Sequence, residues 1–383
     1  MRPALRRLLP LTSISKPRSQ RGLNVSTSKN PLAISPSRPN QQKPLIPIAL
    51  HQQRRSFLTS LPTYLVPPAV FCGLLLALWT YKVFMTVVFQ EKILYMSYMP
   101  PQTRSEKIED YAATCKPVEW KEVRIKSLDG TKIVLGVGCI PWGQTQAMEK
   151  AATREVVICY FQGNGGSVPP RLPLLSNTLK LLQSRGGEST RYTMVALSYR
   201  GYWKSSGRAT EAGIKIDAQA TLNWIKEMHP NASIVIWGQS LGAGVACAAA
   251  AEHLARDEAQ YVQGLILETP FTSVSSMLKA LYPERWLPYR YLTGFLRSHW
   301  DSEVALRRIA SINQGRQPQI LLCVATRDEV VPPEEAEKLQ RVCEETSLVT
   351  KRVKVIGALH NEATTRREGQ EAVASFVVST SMK

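Results

Sequence analysis

Along the first sixty residues the chain is rich in Arg, Ser, Pro and Gln and holds no long apolar stretch. Such a segment cannot bury enough surface to offset its ordering entropy, so the pattern predicts disorder over residues 1–60. The pattern then changes abruptly. Leu65 to Tyr81 is a run of 17 residues without a charge, and after Lys82 the apolar run resumes to Phe89. That is near the lower limit for a bilayer-spanning helix. Lys82 can snorkel to the interface and lengthen the span, and Trp79 and Tyr81 suit an interfacial belt. The expectation is one transmembrane anchor over 65–89.

From about residue 118 strand-like and helix-like patterns alternate. Val123–Ile125 and Lys132–Val137 flank Asp129-Gly130, a hairpin signal. Val156 to Phe161 is a continuous apolar run of the kind buried in a parallel sheet. A Gly-rich turn and a Leu-rich segment over 172–183 follow, then a strand over Thr193–Leu197 and a helix opening at Thr210, a suitable N-cap. Ile214, Ala218, Leu222 and Ile225 lie on one face of that helix. Further strands fall at Ile234–Trp237, Leu265–Leu267, Ile320–Val324 and Val353–Ile356, with an Ala-rich helix from Leu241 and a closing helix from about Arg367. This alternation predicts an α/β fold: a mostly parallel sheet with helices on both faces, over about 118–380.

Charge refines the picture. The net charge is +18, but residues 1–90 hold 12 of the Lys and Arg and no Asp or Glu. The excess therefore marks the leader, not a nucleic-acid-binding face. An Arg-rich, acid-free leader matches a mitochondrial presequence, and Arg54-Arg55-Ser56-Phe57-Leu58-Thr59-Ser60 resembles a two-step processing site. The seven cysteines are widely spaced and give neither a disulfide framework nor a metal site, so they read as structural. No cofactor or metal is expected.

Candidate chemistry centres on Gly238-Gln239-Ser240-Leu241-Gly242. A GxSxG string alone is weak, but SIVIW precedes it and LGAGVACAAAAEHLA follows it. That context is a strand–turn–helix elbow, which exposes a serine hydroxyl at the sheet edge and requires tiny residues two before and two after it. Ser240 is the expected nucleophile. A serine hydroxyl needs a base, and the base an orienting acid. His360 follows a late strand and alone among the five histidines lies beyond the candidate acid. Asp328, in the turn of ILLCVATRDEVVPP, is the expected acid; Glu268, at the end of LILE, is the rival, and Glu329 reads as a solvated neighbour. For the oxyanion, one donor is expected from the backbone of Leu241 and the other from Gln162-Gly163-Asn164-Gly165-Gly166, at Asn164 or else Gly163.

Taken in order, FQGNGGS, LSYRGYWKSSG, GQSLGAGVA, TPFTSV, TRDEVVPP and GALHNE resemble the α/β-hydrolase superfamily. Within it they are similar to the fungal bud-emergence-type branch and its lysophospholipase, monoacylglycerol-lipase and depalmitoylase relatives. The resemblance spans roughly 118–376 and implies Ser240, Asp328 and His360 as the triad. Gln162 stands where the branch usually has His, Ser198 where Asp is common, and Trp203 where Gly usually follows YRGY.

The segment over about 271–305 reads as a short helical cap. Residues 271–300 carry Phe271, Tyr282, Trp286, Tyr289, Tyr291, Phe295 and Trp300, with Leu278, Leu281, Leu287, Leu292 and Leu296 between them. Such a segment can roof a pocket for an acyl chain, and Arg285, Arg290 and Arg297 can meet an anionic lipid surface; simple packing of the cap on the core is the alternative. The expected function is a membrane-anchored serine hydrolase cleaving single-chain acyl esters or thioesters through an acyl-enzyme, with a lipid or acylated substrate and no nucleic-acid partner. A catalytically silent membrane scaffold, a small-ester hydrolase and a peptidase are the alternatives. The leader points to a mitochondrial membrane, with the endoplasmic reticulum second; acyl length and head group are not encoded legibly.

Overall fold

Successive side chains of a strand point to opposite faces of its sheet, and here each face meets its own core. In β3 (Arg154–Phe161), Val157, Cys159 and Phe161 enter one apolar cluster. Val156, Ile158 and Tyr160 enter the other. The computed structural model describes residues 62–381 apart from 142–153, 187–188, 257–261, 288, 313–314 and 316. The leader over 1–60, with Arg54, Arg55 and Phe57, lies outside the described residues.

The remaining strands are β1 (Glu119–Lys126), β2 (Lys132–Cys139), β4 (Thr190–Ser198), β5 (Ser233–Gln239), β6 (Val262–Glu268), β7 (Gln319–Ala325) and β8 (Thr350–Val355). Among the described residues they form one sheet in the order β1-β2-β4-β3-β5-β6-β7-β8. The β1–β2 hairpin and the β2–β4 pair are antiparallel, and every other pairing is parallel. The hairpin closes through Gly130, whose φ of 82° suits the glycine there.

The helices are α1 (Val66–Tyr95), the single-turn α2 (Ala112–Cys115), α3 (Leu172–Arg185), α4 (Glu211–Met228), α5 (Leu241–Arg256), α6 (Val274–Leu281), α7 (Ser302–Ala310), α8 (Pro333–Glu345) and α9 (Arg367–Ser381). Buried residues of α4, α5, α7 and α8 line one face of the sheet, and those of α3 and α9 line the other. The Thr210 hydroxyl caps α4 by accepting from the Gly213 amide. Pro333 opens α8 as a first-turn proline, where its missing N–H costs nothing. The last strand runs over Thr350–Val355, not Val353–Ile356, because the chain turns at Ile356 toward His360.

Helix α1 runs further than the expected 65–89. It is preceded by a 3-10 turn at Thr63–Leu65, and together they form a 33-residue candidate span with a mean hydropathy of 1.8 in its most apolar window. Beyond Phe89 the polar residues find partners in the domain. The Gln90 amide donates to the Phe295 carbonyl at 3.0 Å and accepts from the Arg297 amide at 2.7 Å. Glu91 pairs with Arg208 at 2.9 Å. Tyr95 is buried, its hydroxyl 2.8 Å from Ser298 Oγ and accepting from Trp300 Nε1 at 3.0 Å. The helix ends at Met96, in the left-handed region at φ 42°.

A buried ion cluster ties the β1–β2 hairpin to α4. Arg200 binds Asp217 at 2.7 Å and Asp129 at 2.8 Å, and the Asp217 side chain is fully buried. The Arg200 hydrogen bonds hold the Asp129 carboxyl well below the usual carboxylate range.

Candidate active site

β5 delivers the chain to Ser240 at the carboxyl edge of the sheet, and α5 leaves it immediately. The turn between them is sharp. Ser240 has φ 52°, a region that a side chain other than glycine rarely adopts. A Cβ on Gly238 would collide with the Gly242 backbone, and one on Gly242 with the Phe161 carbonyl. Both glycines are therefore required by close backbone approach. The elbow is fixed further by the Ser240 amide donating to the Glu268 carbonyl at 2.8 Å.

The structure brings the three expected side chains together. His360 Nε2 lies 2.9 Å from Ser240 Oγ. His360 Nδ1 lies 2.9 Å from each carboxylate oxygen of Asp328. With Asp328 accepting from Nδ1–H, the lone pair of the neutral ring is left on Nε2, facing the serine hydroxyl. Asp328 is held in turn by the amides of Val330 and Val331, at 2.9 and 2.7 Å. The side chains of His360 and Asp328 are 6% and 3% exposed, so the pair is shielded from water.

Glu268 does not reach this site. Its buried carboxylate accepts from Trp237 Nε1 at 3.0 Å and from the Thr364 hydroxyl at 2.7 Å. Burial pushes its carboxyl above the usual range. Glu329, read from the sequence as merely solvated, accepts from the His360 amide at 2.9 Å and so tethers the histidine loop. The same loop is joined to the β7 turn by Arg327 N–H to the Ala358 carbonyl and Gly357 N–H to Thr326 Oγ1.

The Leu241 amide stands at the first position of α5, where helix amides have no intrahelical acceptor. Gly163 lies against Ser240: a Cβ built on it falls 3.5 Å from the serine Cβ. Asn164 is exposed at the same edge. Among the described residues no hydrogen bond is made to the Leu241 or Asn164 amide. The next residues of the loop are tied to the end of α1, Gly165 N–H donating to the Tyr95 carbonyl at 3.0 Å and Gly166 N–H to the Met99 carbonyl at 2.7 Å. Behind the elbow, Gln239 Oε1 accepts from Arg171 at 2.7 Å and from the Tyr160 hydroxyl at 3.1 Å. Nothing in the sequence pattern singled out Arg171.

The three departures from the branch pattern have distinct consequences. Gln162 is buried, with its Oε1 unpartnered. Ser198 is buried too, and its hydroxyl donates to the Tyr202 carbonyl at 3.2 Å. Trp203 adopts φ 40°, which explains why glycine suits that position. Its indole is wholly buried and donates to the Glu106 carbonyl at 2.8 Å, which offsets the backbone strain.

Beside Asn164 opens a cavity of about 380 Å³, with the last turns of α1 on one side and the 274–298 segment on the other. Of the seven aromatics expected around a pocket, Tyr282, Tyr289 and Phe295 line it. Phe271 and Trp300 do not; they are core residues packed beside Gly244. Trp286 and Tyr291 are exposed. The deeply buried thiols of Cys159, Cys247 and Cys323 are pushed up by desolvation and lie in the core as small apolar groups. No cluster of His, Cys, Asp and Glu able to hold a metal occurs among the described residues.

A profile of the α/β-hydrolase fold matches residues 156–299. The structure superposes on an α/β hydrolase from Vibrio vulnificus with a TM-score of 0.57 at 20% identity, over 76% of this chain and 92% of that one. The chain therefore has the α/β-hydrolase fold. Its sequence is similar to Protein bem46 of Schizosaccharomyces pombe, 29% identical over 67% of this chain and 75% of that protein. It is also similar to the α/β-hydrolase domain-containing protein WAV2 of Arabidopsis thaliana, 28% identical over 64% and 73%. The lysophosphatidylserine lipase ABHD12 of Danio rerio is 33% identical over 48% of this chain, but only 46% of that protein is matched. These relatives match the bem46-type branch that the sequence motifs resemble.

Proposed function

We propose that the chain is a membrane-anchored serine hydrolase that cleaves single-chain acyl esters or thioesters. It is an ester-hydrolysing enzyme of the α/β-hydrolase class, and its similarity to a lysophosphatidylserine lipase supports a lipid substrate. The observation that carries the reading is the imidazole of His360, 2.9 Å from Ser240 Oγ on one side and 2.9 Å from Asp328 on the other.

In this mechanism Ser240 Oγ attacks the substrate carbonyl carbon while His360 Nε2 takes the hydroxyl proton. Asp328 keeps Nδ1 protonated and stabilises the imidazolium. The charge that develops on the carbonyl oxygen is met by the Leu241 and Asn164 amides, donors that need no reorganisation. Collapse of the tetrahedral intermediate breaks the acyl–oxygen or acyl–sulfur bond, and the His360 proton passes to the leaving group. Water, deprotonated by His360, then attacks the acyl-enzyme, returns the serine and releases the carboxylic acid.

The apolar 33-residue helix supports anchoring in a membrane, and the Arg-rich, acid-free leader supports a mitochondrial one. The test of the reading is labelling with a fluorophosphonate, together with turnover of acyl esters from C2 to C18 by the detergent-solubilised chain. Labelling lost in Ser240→Ala and a kcat/KM that rises with chain length are expected. Absence of labelling in the wild type would leave a silent scaffold, and a profile flat or falling beyond C4 would leave a small-ester hydrolase.

A further inference from the structure

We propose that the substrate's acyl chain lies between the last turns of α1 and the cap, so that the membrane helix itself forms one wall of the binding site. This rests on the ester-hydrolase reading above and assigns the chain its place. Val87, Ile93 and Leu94 of α1 face Met277, Leu278 and Leu292 across the 380 Å³ cavity. That volume is at the small end of ligand pockets, which fits one chain better than a diacyl pair.

Ten of the seventeen lining residues are apolar, and three of the polar ones are engaged within the protein. Gln90 is saturated by Phe295 and Arg297, Glu91 by Arg208, and Ser298 by Tyr95. A predominantly aliphatic wall of this kind suits methylenes. The inner end is marked by Asn164, next to the Gly163 that touches Ser240. A chain lying in the cleft therefore points its ester at the serine.

The route in follows from helix length. The 33 residues of the candidate span extend about 50 Å at 1.5 Å per residue, whereas the hydrocarbon core is about 30 Å thick. Roughly 20 residues fill the bilayer, so the turns from about Phe84 onward emerge from it and become the cavity wall. Beside that wall the cap exposes Leu281, Trp286, Tyr291 and Phe295. Leu281 and Phe295 of this rim line the cavity together with α1, and Gln90 joins the helix to Phe295 and Arg297. A lipid's chain can pass along α1 into the cleft without crossing water.

The test uses the full-length chain in phosphatidylcholine vesicles and the ratio of kcat/KM for a C14 ester to that for a C4 ester. Ile93→Trp and Leu278→Trp narrow the cleft from opposite walls. Each should lower the ratio at least about tenfold, what two buried methylenes contribute. Leu75→Trp, on the lipid-facing stretch of α1, should leave the ratio unchanged. Fluorophosphonate labelling of Ser240 reports that each variant is folded. A second measurement reacts Ser240 with a long-chain alkyl fluorophosphonate carrying a diazirine near its tail. Photolysis should cross-link residues 86–94 or 274–296, and cross-links confined to other segments would overturn the proposal. Wild type that hydrolyses both esters, with a ratio that neither variant moves, overturns the subsite alone. Wild type that hydrolyses neither ester overturns the ester-hydrolase reading and the subsite with it.

Discussion

Ser240 combines an uncommon backbone angle, φ 52°, with two flanking glycines that no larger residue can replace. The side chain is small and its hydroxyl points at His360, so Ser240→Ala should leave the fold intact. Turnover should fall by about 10⁶ for Ser240→Ala and comparably for His360→Ala, since the two act as a unit. Asp328→Asn should retain a residual rate, lower by about 10⁴, because the amide favours the wrong imidazole tautomer. Wild-type turnover of p-nitrophenyl esters by Ser240→Ala would refute the mechanism. Gly242→Ala acts differently: its methyl meets the Phe161 carbonyl, so a stability loss of about 1–3 kcal/mol is expected, read as a lower thermal midpoint. At this scale the sequence was legible where the chemistry demands particular residue types in a fixed order. From pattern Asp328 was the expected acid and Glu268 remained its rival, because both follow strands. The structure separates them, since Trp237 and Thr364 occupy the Glu268 carboxylate. The tethering by Glu329 was illegible, because a backbone amide as partner leaves no trace in side-chain pattern.

Among the elements, the joint between the β1–β2 hairpin and α4 depends on Arg200. Removing its charge leaves the fully buried Asp217 without a counter-ion. Arg200→Met should therefore destabilise the domain by about 3–5 kcal/mol, measured by urea unfolding in detergent. The pH dependence comes from the outer member, Asp129, whose carboxyl the Arg200 hydrogen bonds hold low. A depressed folded-state value means that the stability it lends is fully present above the ordinary aspartate range, near pH 4. It is lost as pH falls through the folded-state value. The carboxylate is 40% exposed, so solvent screening keeps the effect small. Comparing unfolding midpoints of wild type and Asp129→Asn from pH 5 to pH 2 should show the two curves converging in acid; parallel curves would exclude this role. Strands were legible as elements because burial on both faces makes them continuously apolar. Helices α7 and α8 were not, since short segments rich in Glu and Arg reveal a buried stripe only once their neighbours are known. The continuation of α1 past the apolar run was not legible for a related reason: the partners of Gln90 and Glu91 lie 117 or more positions away.

For the molecule as a whole, the proposed mitochondrial address is open to a direct test. With processing beside Arg55 and Phe57, the mature N-terminus should lie shortly before α1 in a mitochondrial membrane fraction. An unprocessed chain beginning at Met1 in the endoplasmic reticulum would overturn that assignment. There the sequon Asn231-Ala232-Ser233, with Asn231 exposed, would serve as a reporter of luminal exposure.

Helix α1 passes into the domain through Gln90, Glu91 and the buried Tyr95, whose carbonyl holds the Gly165 amide of the proposed oxyanion loop. Once the helix is inserted, the mouth of the site is held at a constant height above the bilayer, and the molecule searches for substrate in two dimensions. Its rate should then be governed by surface dilution: turnover of a membrane-resident ester tracks the mole fraction of that ester in the vesicle and stays constant when vesicles of one composition are diluted in buffer.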